Sequence, residues 1–351
     1  MTHLFSRLKE QLQNGFPFAV YSKPGSTLIN GVFQNDSSIH AVNYNGSGFV
    51  FAPFALGKTV FIPAHAADII SVEMDLDVNI PDAPSQPAID IEAKSHFENL
   101  SAQSVAAIKS GAFQKLVLSR KELVHLVEAD VVAIFQKLLV TYPNAFRYCF
   151  YDPQAGLWMG ATPEQLLKVE NHTLHTVALA GTQLYKAGEE AVWEEKEKQE
   201  QKFVTDYILS ELADYTANIN TTEPYTFRAG NIVHIKTDIS AELKDVDSLY
   251  AVINTLHPTP AVCGLPKRNA KEYLLANEGY NREYYAGFLG ELSHDFATGQ
   301  PKTDLFVNLR CMKIKDDTAH LYIGCGITAD SDPQKEFLET VNKSMTMRKV
   351  I

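Results

Sequence analysis

Between Phe146 and Leu184, apolar runs follow one another with only turns between them. Parallel strands need a crossover of a dozen or more residues, whereas antiparallel neighbours need only a turn. This stretch is therefore expected to build antiparallel sheet. Further strands are expected at Lys115–Arg120 and at about 284–293, 304–314 and 319–323. Helices are expected at Glu92–Gly111, ended by Gly111, and at about 129–140, closed by Tyr142-Pro143. Others are a long one at about 189–216, one near 268–277, and a last one after Ser331-Asp332-Pro333. The order is not a regular βαβ alternation. The expectation is an α+β fold of large, mainly antiparallel sheets packed face to face, with helices on the outer faces. Residues 1–90 read as a short helix followed by strands with Gly-rich turns, as in Val42-Asn43-Tyr44-Asn45-Gly46-Ser47-Gly48 before Phe49-Val50-Phe51. The Pro- and Ala-rich stretch Ile80 to Ile91 is the candidate linker. The chain then divides into a strand-rich segment, 1–90, intertwined with a catalytic core, 91–351.

Of the 351 residues, 45% are hydrophobic and 21% charged, enough for a sizeable core. The net charge of −11 argues against nucleic acid, whose phosphates need clustered Lys and Arg. An anionic substrate would need that charge offset locally, which a bound divalent cation could do. Cys149, Cys263, Cys311 and Cys325 form no C-x-x-C pair, so neither a zinc site nor a disulfide framework is suggested, and free thiols suit a reducing compartment. The first residues lack a continuous apolar run, and no run approaches membrane-spanning length. A soluble, cytoplasmic protein is expected, with no membrane partner.

Helical geometry in the long helix places Trp193, Glu197, Glu200, Phe203, Val204 and Tyr207 on one face. Either this is a solvated face with some aromatic packing, or it carries two carboxylates inward to a cation. In the last helix, Asp332 suits an N-cap and Pro333 the first helical position. Glu336, Glu339 and Lys343 share a face there, which a plain i,i+4 pair would also explain. Two Glu residues from different helices suit Mg²⁺, which takes oxygen ligands and keeps positions for water and an anionic substrate. Gly324-Cys325-Gly326 reads as a strand end, either a tight turn or backbone N–H groups that hold a carboxylate. Arg310 closes the apolar run Asp304–Leu309, and it either pairs with an internal Glu or grips a substrate carboxylate. Gly160-Ala161-Thr162-Pro163-Glu164 reads as strand, cap and first helical turn. A helix dipole there would lower the pKa of Glu164, the opposite of what a general acid needs, unless burial outweighs it. These residues together indicate a metal-assisted enzyme acting on a small anion.

The order of these features resembles one family, the chorismate-binding enzymes, which include isochorismate, salicylate, anthranilate and aminodeoxychorismate synthases. The residues that carry the resemblance begin with Phe113–Arg120, Gly160–Glu164 and Leu179-Ala180-Gly181-Thr182. They continue with Glu197, Glu200, Leu256–Pro266, Arg282-Glu283, Leu309-Arg310-Cys311, Gly324–Ile327, Glu336, Glu339 and Lys343. The resemblance implies that Glu200 and Glu339 bind Mg²⁺, with Glu197 and Glu336 in support, and that the ion holds the ring carboxylate of chorismate. It implies Arg310, Gly324 and Tyr285 for the enolpyruvyl carboxylate, and Gly181, Thr182, His234 and Lys343 for the rest of the pocket. It gives Glu164 the role of general acid towards the C4 hydroxyl, and Lys115 that of the base that activates water for attack at C2. Many relatives have Glu-His where this chain has Glu200-Gln201.

The branches of the family differ in nucleophile. Ala180 stands where the lysine-nucleophile aminodeoxychorismate synthases carry Lys. Anthranilate synthases typically lack Lys at the position of Lys115 and take ammonia from a glutaminase subunit, which is not expected here. Ala261 in Leu256-His257-Pro258-Thr259-Pro260-Ala261 resembles the isochorismate synthases, whereas salicylate synthases tend to have Thr, and Tyr285 points the other way. The resemblance thus implies reversible conversion of chorismate to isochorismate, with salicylate synthesis as the alternative and a catalytically dead chorismate-binding relative as a third reading.

Overall fold

The computed structural model describes every residue except Asn43, Asn45, Ile80, Pro81, Ala83, Pro84, Ser85, Glu128, Gly230, Asn231 and Val246, and the side chains of Thr182, Leu184, Lys196, Ala229 and Ile232. The candidate linker thus lies partly outside the described residues. Among those described, the strands form two nine-stranded sheets in which every pairing is antiparallel. The first runs Gly264–Leu265, Lys115–His125, Thr318–Ile327, Cys311–Lys315, Gly156–Thr162, Phe146–Asp152, Phe18–Ser22, Leu28–Gln34, Ala67–Glu73. The second runs Thr216–Thr221, Ile232–Leu243, Thr173–Leu184, Gln165–Glu170, Lys302–Val307, Phe288–Leu292, Gly48–Ala52, Val60–Pro63, with Tyr225–Ala229 also paired to Ile232–Leu243. The first 90 residues supply strands to both sheets: Phe18–Ser22 pairs with Phe146–Asp152, and Gly48–Ala52 with Phe288–Leu292.

The sheets pack face to face through aromatic side chains. Phe146 stacks on Phe306 with ring centroids 4.3 Å apart, and Phe51 meets Phe150 at 4.6 Å. Phe18–Ser22 is buried along its whole length. A strand covered on both faces needs no polar alternation, and here helices Thr2–Asn14 and Val131–Thr141 cover the outer face through Leu4, Leu8, Phe135 and Leu138. Helices Ile91–Lys109 and Pro333–Arg348 meet through Phe97 and Phe337. Asp90, Asp130 and Asp332 cap their helices by accepting from two backbone amides each.

Four departures from the sequence reading bear on function. The chain after Thr162-Pro163 is a strand, Gln165–Glu170, so no helix dipole acts on Glu164. The 304–314 run is two strands, Lys302–Val307 and Cys311–Lys315, which lie in different sheets. Gly324 and Gly326 are inside Thr318–Ile327 and not in a turn, because Lys115–His125 pairs with that strand as far as Ile327. The long helix is Glu195–Leu212: Glu194 and Glu197 form its capping box, Trp193 precedes it, and Phe203 is 53% exposed, so the proposed stripe is not one buried face. Strands Thr216–Thr221, Tyr225–Ala229 and Ile232–Leu243 and helix Ser248–Leu256 fill a stretch to which the sequence reading assigned no element.

One buried ion pair braces the strand that carries Lys115. Arg282 meets Glu278 with Nη2–Oε1 at 2.5 Å and Nε–Oε2 at 2.7 Å, and donates to the carbonyls of Val117 (2.6 Å) and Val262 (2.8 Å). Glu278 Oε1 also accepts from Ser119 N (2.8 Å) and Ser119 Oγ (2.9 Å). Removing one partner strands the other charge in the interior. Arg282→Met should cost about 3–5 kcal/mol, read as a lower urea midpoint at unchanged slope. A midpoint equal to the parent's would show that the pair supports nothing.

Candidate active site

The chain leaves the first sheet for the second at Thr162-Pro163-Glu164-Gln165 and returns at Val307-Asn308-Leu309-Arg310-Cys311. The two crossings are tied together by their backbones. Val307 N donates to Glu164 O (2.9 Å), and Ala161 N to Arg310 O (3.0 Å). Thr162 Oγ1 donates to Val307 O at 2.6 Å, and buried Asn308 bonds Tyr148 Oη and Tyr284 O. Arg310 takes φ +46°, a costly backbone state for a non-Gly residue, and its Nη1 donates to Thr346 Oγ1 at 3.0 Å. Burial lowers the pKa of Arg310 from its ordinary value. Burial also pushes Glu164 up to about 7, against the pull of Lys115, Lys343 and Arg310. Three cations pull on the half-buried carboxyl, and desolvation wins.

Strand Thr173–Leu184 bulges against Ile232–Leu243 between Ala180 and Gln183. Gly181 takes φ +68° there, a conformation that favours glycine, and its carbonyl lies 3.0 Å from His234 Nδ1, which places that ring's proton on Nδ1. Burial lowers the pKa of His234. The side chain of Thr182 lies outside the described residues. Helix Glu195–Leu212 packs beside the bulge, and Gln183 Nε2 donates to both oxygens of Glu197, at 2.9 and 3.0 Å. Glu200 Oε1 lies 2.9 Å from Lys115 Nζ. Gln201 turns away to Thr237 Oγ1 at 2.7 Å, so its departure from the family's pattern falls in the packing, not the site.

From the first sheet comes Gly324, and Tyr285 reaches it from the turn before Phe288–Leu292. A Cβ on Gly324 would lie 2.6 Å from Tyr285 Oη and 2.7 Å from Leu118 O, so the strand tolerates no side chain there. Pairing with Cys311–Lys315 ends at Tyr322, which leaves Gly324 O for Lys343 Nζ at 3.0 Å. Lys343 Nζ also meets Glu339 Oε1 at 2.6 Å. Burial raises the pKa of Glu336, and the like charge of Glu339 adds to this while Ser331 and Cys325 bond its carboxyl.

Among the described residues, no three His, Cys, Asp or Glu side chains converge as a ready-made metal cage. Glu200 and Glu339 instead face Lys115 and Lys343. Their chemistry fits a hard cation nonetheless: all four candidate donors are carboxylates, and Glu336 and Glu339 disfavour each other's charge, which a divalent ion would relieve. The sequence reading missed Thr162, Gln183 and Thr346, the groups that hold Glu164, Glu197 and Arg310. They lie two, fourteen and thirty-six residues from their partners. Only Thr162, in the quoted Gly160–Glu164 motif, carried a local signal.

Residues 66–351 match the family model described as chorismate binding enzyme. The chain belongs to that family. Its relatives include the salicylate biosynthesis isochorismate synthase of Pseudomonas aeruginosa, 28% identical over 280 residues, 77% of this chain and 58% of that protein. Isochorismate synthase MenF of Escherichia coli K12 is 28% identical over 270 residues, 74% of this chain and 60% of that protein. Matches to these two relatives thus span about three fifths of their length. The solved structure of the menaquinone-specific isochorismate synthase MenF of Escherichia coli superposes with TM-score 0.79 at 20% identity, covering 97% of this chain and 90% of that one, a likeness of fold. No helix among the described residues is long and apolar enough to cross a membrane.

In this chorismate binding enzyme the state of Glu164 is measurable. Its pKa of about 7 in the fold exceeds the ordinary glutamate value, so folding takes up a proton between the two. That contribution to stability is complete below the unfolded pKa and is lost as pH rises through 7. Glu164→Gln should match the parent near pH 4 and exceed it at pH 8 by up to about 3 kcal/mol, read from denaturant midpoints at the two pH values. A pH-independent difference would show that folding does not shift the pKa of Glu164.

Proposed function

We propose that this protein is an isochorismate synthase that adds water at C2 of chorismate as the C4 hydroxyl departs. The observation that carries the reading is Glu164, a carboxyl kept near pKa 7 by burial while Lys115, Lys343 and Arg310 face it. A general acid needs a pKa near the working pH, and a dianionic substrate needs that ring of positive charge. Membership of the chorismate binding enzyme family supports the substrate, and the named relatives support the reaction.

In this reading Arg310 grips one carboxylate of the substrate, beside Gly324 and Tyr285. Gly181, Thr182, His234 and Lys343 line the rest of the pocket. Glu164 gives its proton to the departing C4 oxygen, and Lys115 takes one from the water that attacks C2. Lys115 needs a free lone pair for this, so Glu200 must release it. Glu200 and Glu339 would hold Mg²⁺, with Glu197 and Glu336 behind them; when bound, the ion supplies positive charge for the substrate's other carboxylate. Water as nucleophile makes a glutaminase subunit unnecessary. Four unpaired, buried cysteines suit the cytoplasm, and the strands that residues 1–90 give to both sheets support an N-terminal segment intertwined with a core from 91.

Purified protein with chorismate and Mg²⁺, and no ammonia source, should form isochorismate, stop short of completion, and run backwards from isochorismate. Chromatography of the products is the check: anthranilate, or salicylate with pyruvate, as the main product would defeat the assignment. Lys115→Gln and Glu164→Gln should each lose about 10²–10⁴-fold in kcat in both directions. Glu200→Gln and Glu339→Gln should abolish Mg²⁺-dependent turnover in a folded protein. A Lys115→Gln variant with the parent's rate would remove the proposed base.

A further inference from the structure

The second sheet comes apart beside Glu164. Strand Thr173–Leu184 pairs with Gln165–Glu170 only at Thr173, Leu174 and His175 among the described residues. Past His175 it follows Ile232–Leu243, while Gln165 and Leu167 pair with Lys302–Val307. The bond from Thr176 Oγ1 to Leu166 O, 2.8 Å, reaches across the seam. A cavity lies at either end. One is an open polar cleft of about 400 Å³ that includes His175, Asn220 and Asp238. The other is a smaller space of about 50 Å³ bordered by Glu164, Tyr207 and Thr259. Gln165, Thr176 and Val177 line both.

The inner cavity is too small for a ring and large enough for a few water molecules. The lining is mainly apolar, but Tyr207 Oη and Thr259 Oγ1 are buried and have no hydrogen-bond partner among the described residues, which gives water two groups to satisfy. We propose that the seam is a passage for water and protons that serves Glu164 from the outer face of the sheet, apart from the side where Lys115, Lys343 and Arg310 face its carboxyl.

The inference rests on the reaction proposed above, which leaves Glu164 without its proton at the end of each forward turnover. In one forward turnover the attacking water gives a proton to Lys115 and forms the C2–O bond. The C4–O bond breaks, and that oxygen leaves with the proton of Glu164 as water. Atoms and charge balance, but Glu164 ends ionised and Lys115 protonated. Before the next turnover Glu164 must regain a proton and Lys115 must give one up to solvent, and water must leave from the side of Glu164. Waters held on Tyr207 Oη and Thr259 Oγ1 would do both, and the raised affinity of the buried carboxyl for a proton favours the return.

A crystal structure that resolves ordered solvent should show water within hydrogen-bonding distance of Tyr207 Oη and Thr259 Oγ1. A dry cavity overturns the proposal whatever reaction the enzyme runs. Val177→Phe, which plugs the seam, should lower kcat at least about tenfold with the KM for chorismate unchanged. Its solvent deuterium isotope effect on kcat should rise, because proton supply then limits the rate; a merely structural disturbance would leave that effect alone. The pair Tyr207→Phe and Thr259→Val, which strips the polar lining and leaves the volume, should move both readouts in the same sense and stands in if the plugged variant does not fold. The parent's kcat and isotope effect in both variants would overturn the proposal. A parent protein that makes no isochorismate would sink the reaction instead, and the solvent structure alone would then decide whether the seam carries water.

Discussion

The site depends on two neighbouring crossings at which the chain passes between its sheets. Glu164 and Arg310 sit at these crossings, and backbone hydrogen bonds tie one to the other. Neither residue relies on a flexible loop for its place. Groups carried on sheet elements are held more closely than groups on free loops, and electrostatic catalysis depends on such fixity. The fold also sets the depth. The crossing lies between two packed sheets, where Glu164 is half-buried and burial raises its pKa.

That burial decides a contest of charges. Three cations near a carboxyl ordinarily pull its pKa down, yet Glu164 rises to about 7. Desolvation exceeds the summed attraction, and Lys115 and Lys343 are each paired with another carboxylate, Glu200 at 2.9 Å and Glu339 at 2.6 Å. Carboxylates on helices Glu195–Leu212 and Pro333–Arg348 thus hold both lysines. A divalent cation that takes over Glu200 and Glu339 would release positive charge towards an anionic substrate. In a chain of net charge −11, such a local reversal would let an anion approach.

The parts of this arrangement that were legible in the sequence are those with a local period. Glu336, Glu339 and Lys343 share a helix face by spacing alone, and Asp332-Pro333 marks where that helix starts. Lys115 sits in a strand whose apolar character is plain. Glu164 was misread, because Thr-Pro-Glu after a strand is a good helix-start signal, and what overrides it is the pairing of Gln165–Glu170 with Lys302–Val307, over 130 residues away. Arg310 was misread for the same reason: the apolar run continues through Leu309, and only the partner strands reveal that it changes sheets. The strand Ile232–Leu243, which brings His234, alternates Val233, Ile235, Thr237, Ile239 and Ala241 with polar residues, but its many charged and hydroxyl side chains masked that period.

The misreading of Glu164 is informative about the chemistry. In a helix's first turn, the dipole would have favoured the carboxylate and opposed an acid's work. At a sheet crossing no such dipole acts, and burial sets the proton affinity. Burial brings its own conflict, since a group shielded well enough to keep its proton is also shielded from the solvent that must replace it. Continuous sheet would close that route. The second sheet is not continuous at this point, and the strands separate directly beside the acid, between Thr176 and Gln165. A seam that holds a few waters would meet both demands, because it relays protons and leaves the carboxyl's surroundings largely apolar.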